Sequence, residues 1–285
     1  MLYKIKQKMK GFLLALPSKA NYKFVLKNWI SLFDLKYSSM VLETKRFYRN
    51  LSPQLLDRPI GKRILILAPH PDDDVFGIGG TLLKLSNIET EIKTLYFTNA
   101  TENTFVIKKI QREAEEVCYN LNSTPLFLNY PTRNIPVTEE TLKKIKEEVI
   151  AFGPEIVALP FLLDDHDDHR RVNEVLFQSL KNVNISSEIW AYQIYSTLLP
   201  NVVVDITEQI DKKEQLMRIF QSVSGNRNWA HYIRGMNAAN CRYIPGKSKV
   251  YGEAFFVVPL SEYLDLCEIY FSNPHDKIYY EPNYY

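Results

Sequence analysis

The fold is decided by the stretch RILILAPHPDDDVFGIGG, residues 63–80. Arg63–Ala68 is a β-rich apolar run with the length of one buried strand, and Pro69-His70-Pro71 ends it abruptly. Asp72, Asp73 and Asp74 follow, and Val75-Phe76-Gly77-Ile78-Gly79-Gly80 then opens a helix. The glycines invite a dinucleotide-binding reading, but that fingerprint needs a turn that is not acidic, and three aspartates would repel a pyrophosphate. Their use is steric: without Cβ atoms, the helix can approach the sheet closely.

Working outward, three more apolar runs stand at Ile92–Thr98, Leu126–Tyr130 and Ile156–Pro160, and a further one begins at Ile189–Tyr192. Helices with a 3.6-residue period lie between them. Ile107, Ile110, Ala114, Val117, Cys118 and Leu121 share one face, and Leu142, Ile145, Val149 and Phe152 share another. Thr138 is placed to cap the second of these, Glu139 and Glu140 suit its first turn, and Gly153-Pro154 stops it. Strands that alternate with helices imply βαβ units with right-handed crossovers. The expected fold is therefore α/β, a Rossmann-like three-layer sandwich with a mostly parallel sheet.

In such sheets ligands bind beyond the carboxyl ends of the strands. Two loops there carry unusual chemistry: residues 69–74, and Asp164-Asp165-His166-Asp167-Asp168-His169 after the fourth strand. Three of the five histidines of the chain sit in them. Each loop alone reads as a solvated turn. Seven carboxylates and three imidazoles at one sheet edge are unfavourable unless a positive charge compensates. A divalent cation does so, and His with carboxylate ligands suits zinc, with ferrous iron the alternative.

At these residues the chain resembles the zinc-dependent N-acetylglucosamine deacetylases of the PIG-L or LmbE-like family. The resemblance is carried by His70-Pro71-Asp72-Asp73 with the Gly-Gly turn, and by His166-x-Asp168-His169 further on. It covers residues 61–181 well, and Tyr251-Gly252-Glu253-Ala254-Phe255 also resembles a stretch found in many members. The resemblance implies that His70, Asp73 and His169 are metal ligands, that Asp72 is the general base, and that His166 is the acid and oxyanion stabiliser, oriented by Asp168. Asp74 stands where the family usually has Glu. The implied enzyme is a hydrolase acting on a linear amide C–N bond: the metal activates a water and polarises the acetamide carbonyl of an N-acetylglucosamine-like conjugate. Other amide or carbamoyl hydrolysis on a glycan or natural product, and a non-catalytic carbohydrate-binding protein with a relic site, are the alternatives.

Composition narrows the remainder. The 285 residues are 46% hydrophobic and 24% charged, ordinary for a globular protein. No apolar run approaches the roughly 18–20 residues of a spanning helix. Cys118, Cys241 and Cys267 read as reduced thiols of a cytosolic protein. Residues 1–36 hold eight Lys against one acid, Asp34, whereas the net charge of the whole chain is +2. The expected organisation is a basic amphipathic extension over residues 1–58 and a single deacetylase domain over 59–285. Tyr22, Val25, Leu26, Trp29, Ile30 and Phe33 fall at helical spacing in the extension. Such a face either covers the body or lies on an anionic membrane leaflet. No nucleic-acid partner is expected. Trp229, His231 and Tyr232 in the stretch 226–240 are group types that a sugar site uses, although a helix packed on the sheet explains any one of them more readily. Glu253, inside a β-run, needs a partner if buried.

Overall fold

The computed structural model of the chain describes residues 40, 44, 52–85, 89–196, 198–224, 227–246 and 249–272. All but the first two fall within one compact unit, Arg49–Tyr285. The amphipathic face expected over residues 22–33 and the tyrosines of the C-terminal tail lie outside the described residues.

One eight-stranded sheet organises this unit. In chain order its strands are β1 (Gln54–Leu56), β2 (Arg63–Ala68), β3 (Glu91–Thr98), β4 (Ser123–Tyr130), β5 (Ile156–Pro160), β6 (Glu188–Tyr192), β7 (Val202–Asp205) and β8 (Gly252–Pro259). They are arranged in space as β1-β7-β8-β6-β5-β2-β3-β4. Every neighbouring pair is parallel except the two made by β8, which runs antiparallel to both β6 and β7. The sheet is thus mostly parallel, as the alternation of strands and helices implies. β1 pairs with β7 and therefore belongs to the sheet, although its residues fall in the stretch assigned to the extension.

The central strands are buried on both faces, which is why they read as continuous apolar runs. Helices α1 (Asp73–Leu85), α2 (Thr104–Asn120), α5 (Ile210–Met217) and α7 (Trp229–Ala239) contribute to the cluster on one face, with Ile64, Ile66, Ala158, Tyr192, Val204 and Phe255 beneath them. Helices α3 (Glu139–Phe152), α4 (Asp167–Leu180) and α8 (Leu260–Phe271) pack against one another and contact β2, β5, β6 and β8. A single turn, α6 (Gln221–Ser224), and a 3-10 helix over Asn240–Tyr243 complete the described helices. α3 begins and ends as its sequence dictates: Thr138 caps the Thr141 N–H, and Gly153 turns the chain at φ +58°. No helix among the described residues is long and apolar enough to cross a membrane.

The glycines after Asp74 set how deeply α1 sits. A Cβ on Gly77 would lie 2.0 Å from the Tyr192 ring, and one on Gly80 would lie 2.8 Å from Ile206. Neither position has room for a side chain.

Candidate active site

The turns after β2 and β5 emerge at the same sheet edge and bring both histidine loops together. Asp73, Asp168 and His169 are wholly buried, and His70 and Asp72 nearly so. Asp73 is the meeting point. Its Oδ2 accepts the His70 backbone N–H at 2.8 Å and lies 3.0 Å from His70 Nδ1 and 3.3 Å from His169 Nε2. Its Oδ1 is buried without a partner. Ligand atoms of a tetrahedral zinc, with bonds of about 2.0–2.2 Å, stand roughly 3.3–3.5 Å apart, a spacing close to that of these two contacts. His166 stands beside them: one ring nitrogen from each of His70, His166 and His169 falls within 4.8 Å of the others.

Two carboxylates support the imidazoles from behind. His70 Nε2 faces Asp168 Oδ2 at 2.9 Å, and His169 Nδ1 faces Asp164 Oδ1 at 3.0 Å. Carboxylate–histidine pairs of this kind fix the tautomer and leave the opposite nitrogen free to ligate. The sequence reading has Asp168 orienting His166. In the structure the Asp168 carboxylate engages His70 and the Arg133 N–H, at 3.1 and 3.0 Å to its two oxygens. His166 instead accepts the backbone N–H of Asp168 on Nδ1, at 3.2 Å. Arg133 makes its bond from the left-handed region at φ +57°, a conformation that costs a non-glycine residue about 1 kcal/mol.

The electrostatics follow from this crowding. Burial works against a charged His70 and a charged His169, but Asp73 with Asp168 lifts the first to about 9, and Asp73 with Asp164 lifts the second to about 10. The carboxylates therefore draw in two protons, the charge that one divalent cation carries, and metal binding at such a site releases protons. Burial, and next the Asp73 charge, push Asp72 up to about 7, the range in which a general base works best. His166 moves the other way. Burial, His70 and His169 hold it down to about 3, which favours the neutral imidazole. Burial lifts Asp74 to about 7, and its Oδ2 accepts the Tyr96 hydroxyl at 2.6 Å, beneath the site rather than in it.

The sequence reading left out Asp164, Arg133 and Tyr195. Asp164 is 1% exposed, and besides facing His169 it accepts the N–H groups of His166, Tyr195 and Ser196. Its place at the head of the second acidic loop is the signal that could have singled it out. Arg133 acts through its backbone, which no residue type announces. The Tyr195 ring stacks on His169 at 5.3 Å and 17°, and Trp229 and Tyr232 continue the aromatic wall outward at 5.4 and 6.0 Å. Glu253 has the partners its burial requires: the Gly80 and Thr81 N–H groups and the Lys213 ammonium.

Residues 65–180, which contain both loops, match the profile of the family described as PIG-L: GlcNAc-PI de-N-acetylase. Over this segment, which carries both histidine loops, the chain is similar to the PIG-L (LmbE-like) family. Over a longer stretch, the chain is 25% identical across 224 residues to a diacetylchitobiose deacetylase of Thermococcus kodakarensis, a match that spans 65% of this chain and 84% of that protein. The solved structure of the N,N'-diacetylchitobiose deacetylase of Pyrococcus horikoshii with its inhibitor MPG superposes with a TM-score of 0.61 and 24% identity, covering 81% of this chain and 94% of that one. A deacetylase of teicoplanin biosynthesis shares the fold at a TM-score of 0.54 and 13% identity, over 69% of this chain and 98% of that one.

Proposed function

We propose that the protein is a metal-dependent N-deacetylase that hydrolyses the acetamide of an N-acetylglucosamine-like sugar conjugate, with His70, Asp73 and His169 as ligands of a zinc ion. The observation that carries this reading is the convergence of His70 Nδ1 and His169 Nε2 on Asp73 Oδ2, with the high-pKa carboxyl of Asp72 adjacent in the chain. The PIG-L match and the named activity of the Thermococcus relative support it.

A bound zinc ion supplies Lewis acidity, lowering the pKa of a water and polarising the acetamide carbonyl. The chain's own groups do the rest. Asp72 removes the proton from the attacking water and returns it to the departing amine, so that one carboxyl serves as base and then as acid. Because His166 Nδ1 accepts the Asp168 N–H, the proton of its neutral ring stands on Nε2, which donates to the oxyanion of the tetrahedral intermediate. Asp168 and Asp164 hold His70 and His169 in the tautomers that leave a lone pair for the metal. Acetate and the free amine are the products. The test is acetate release from N,N'-diacetylchitobiose by the zinc-loaded protein, together with metal analysis. Bound zinc at one per chain with acetate release is expected, and its loss on chelation should stop the reaction. Absence of both sinks the reading.

The basic arm over residues 1–36 belongs to the same proposal as a reversible contact with an anionic membrane surface, where a lipid-linked glycan would be met. Its eight lysines support this, since each contributes about 1 kcal/mol near such a surface. Co-sedimentation with anionic vesicles at low salt should retain the full chain and release a chain that starts at Leu51. Equal recovery of both in the supernatant would assign the arm elsewhere.

A further inference from the structure

Helix α1 carries Asp73 and Asp74 in its first turn and Asp72 just before it, yet the polar groups that grip its middle come from outside the PIG-L segment. Lys213 on α5, Asn237 on α7 and Glu253 on β8 converge there. Lys213 and Glu253 are wholly buried and Asn237 is 6% exposed. The Glu253 carboxylate accepts the Gly80 N–H on Oε1 and the Thr81 N–H on Oε2, both at 2.7 Å. Lys213 Nζ donates to Glu253 Oε1 at 2.7 Å, to the Phe76 carbonyl at 2.8 Å and to Asn237 Oδ1 at 3.0 Å. Asn237 is anchored in turn by donating to the Gly252 carbonyl at 3.2 Å.

Phe76 C=O and Gly80 N–H are the two ends of one i→i−4 position of an α-helix. The ammonium engages the first and the carboxylate the second, so the ion pair spans one helical turn along its backbone. Glycine leaves room for this packing: a Cβ at position 80 would strike Ile206 at 2.8 Å, and one at position 79 would lie 2.8 Å from Val75 Cγ2. A buried ion pair is a poor way to stabilise a fold, because apolar residues of similar volume often serve as well or better. Three directed bonds to the backbone of a single turn do something that apolar packing cannot: they set the rotation of α1 about its axis and its position along it. One residue of α1 is worth only 1.5 Å of rise, so a slip of less than that would take Asp73 away from His169.

We propose that Lys213 and Glu253 are positioning residues of the site, locking α1 so that Asp72 and Asp73 stand in register with His70 and His169. The inference rests on the metal-site reading above for what is positioned, and its first readout is metal affinity, which does not depend on any substrate. The experiment uses the full-length Lys213→Met/Glu253→Leu double variant and the conservative Glu253→Gln variant. Zinc affinity is measured by competition with a chromophoric chelator, kcat and KM by acetate release from N,N'-diacetylchitobiose, and folding by the melting transition. The double variant should melt cooperatively and keep its KM, while zinc affinity and kcat each fall about tenfold, the lower end of what losing an outer partner of a metal site costs. Glu253→Gln, which keeps an acceptor for α1, should recover part of both losses. A folded double variant whose zinc affinity and kcat stay within about threefold of wild type overturns the proposal, since supporting groups of a metal site cost more than that when lost. If the double variant does not fold, Glu253→Gln decides by itself: zinc affinity and kcat both indistinguishable from wild type overturn the proposal. A wild-type protein that binds zinc but releases no acetate defeats the deacetylase reading and leaves the zinc affinities to judge this one.

Discussion

Two buried clusters of charge meet the same helix and are built in opposite ways. At the N-terminus of α1, Asp73 keeps one buried oxygen without a partner, while its other oxygen gathers His70 Nδ1 and His169 Nε2. In the middle of α1, the Glu253 carboxylate takes two amides and an ammonium, and the Lys213 ammonium has three acceptors. Buried polar groups left unsatisfied carry a cost that persists only where something else completes them, whereas a fully satisfied network rigidifies its surroundings. On the proposed reading the first cluster receives an ion, and the second holds the frame that presents it.

The comparison can be broken at its strongest point first. Removing an inner ligand, by Asp73→Ala or His169→Ala, should weaken zinc binding by more than about 100-fold, since losing even an outer partner costs 10–100-fold. Full metal occupancy in either variant, read by elemental analysis after dialysis, would show that these groups are not ligands. Asp72→Asn should leave zinc bound and lower kcat by roughly 10²–10⁴, the contribution of a positioned general base. Near-normal turnover would return Asp72 to the background charge of the loop. Asp168→Asn and Asp164→Asn should each cost about 10–100-fold in zinc affinity or activity, because each orients a ligating imidazole. If Asp168→Asn changes only kcat and leaves zinc affinity untouched, its partner in function is His166 rather than His70. The smallest effect sharpens the second cluster. Gly77→Ala forces a methyl against the Tyr192 ring and should destabilise the fold by about 1–3 kcal/mol in denaturant unfolding, less whatever helix propensity returns.

Much of the site was legible because its chemistry is concentrated in two short loops. His70, Asp72, Asp73, His166, Asp168 and His169 could be named from residue type and position, since few other contexts gather so many acids and imidazoles after apolar strands. The assignment of partners was not legible. Whether Asp168 serves His70 or His166 depends on how two loops 98 residues apart along the chain are rotated against each other. Arg133 contributes a backbone N–H, and the low pKa of His166 comes from its burial and from two other imidazoles brought beside it.

The same division runs through the whole molecule. By itself the sequence determined the local events: both bounds of β2 and β5, the ends of β3 and β4, the Thr138 cap and Gly153 stop of α3, and the bare surface at Gly77 and Gly80 that lets α1 approach the sheet. These depend on neighbours within a few positions, so short-range sterics and periodicity suffice. Only the tertiary structure decided that β8 turns against its neighbours, that β1 and β7 extend the sheet past it, and that Glu253 reaches the amides of α1 across 173 positions of chain. Those outcomes follow from closing one sheet and burying its charges, and a residue's local sequence carries no record of the partner that will meet it there.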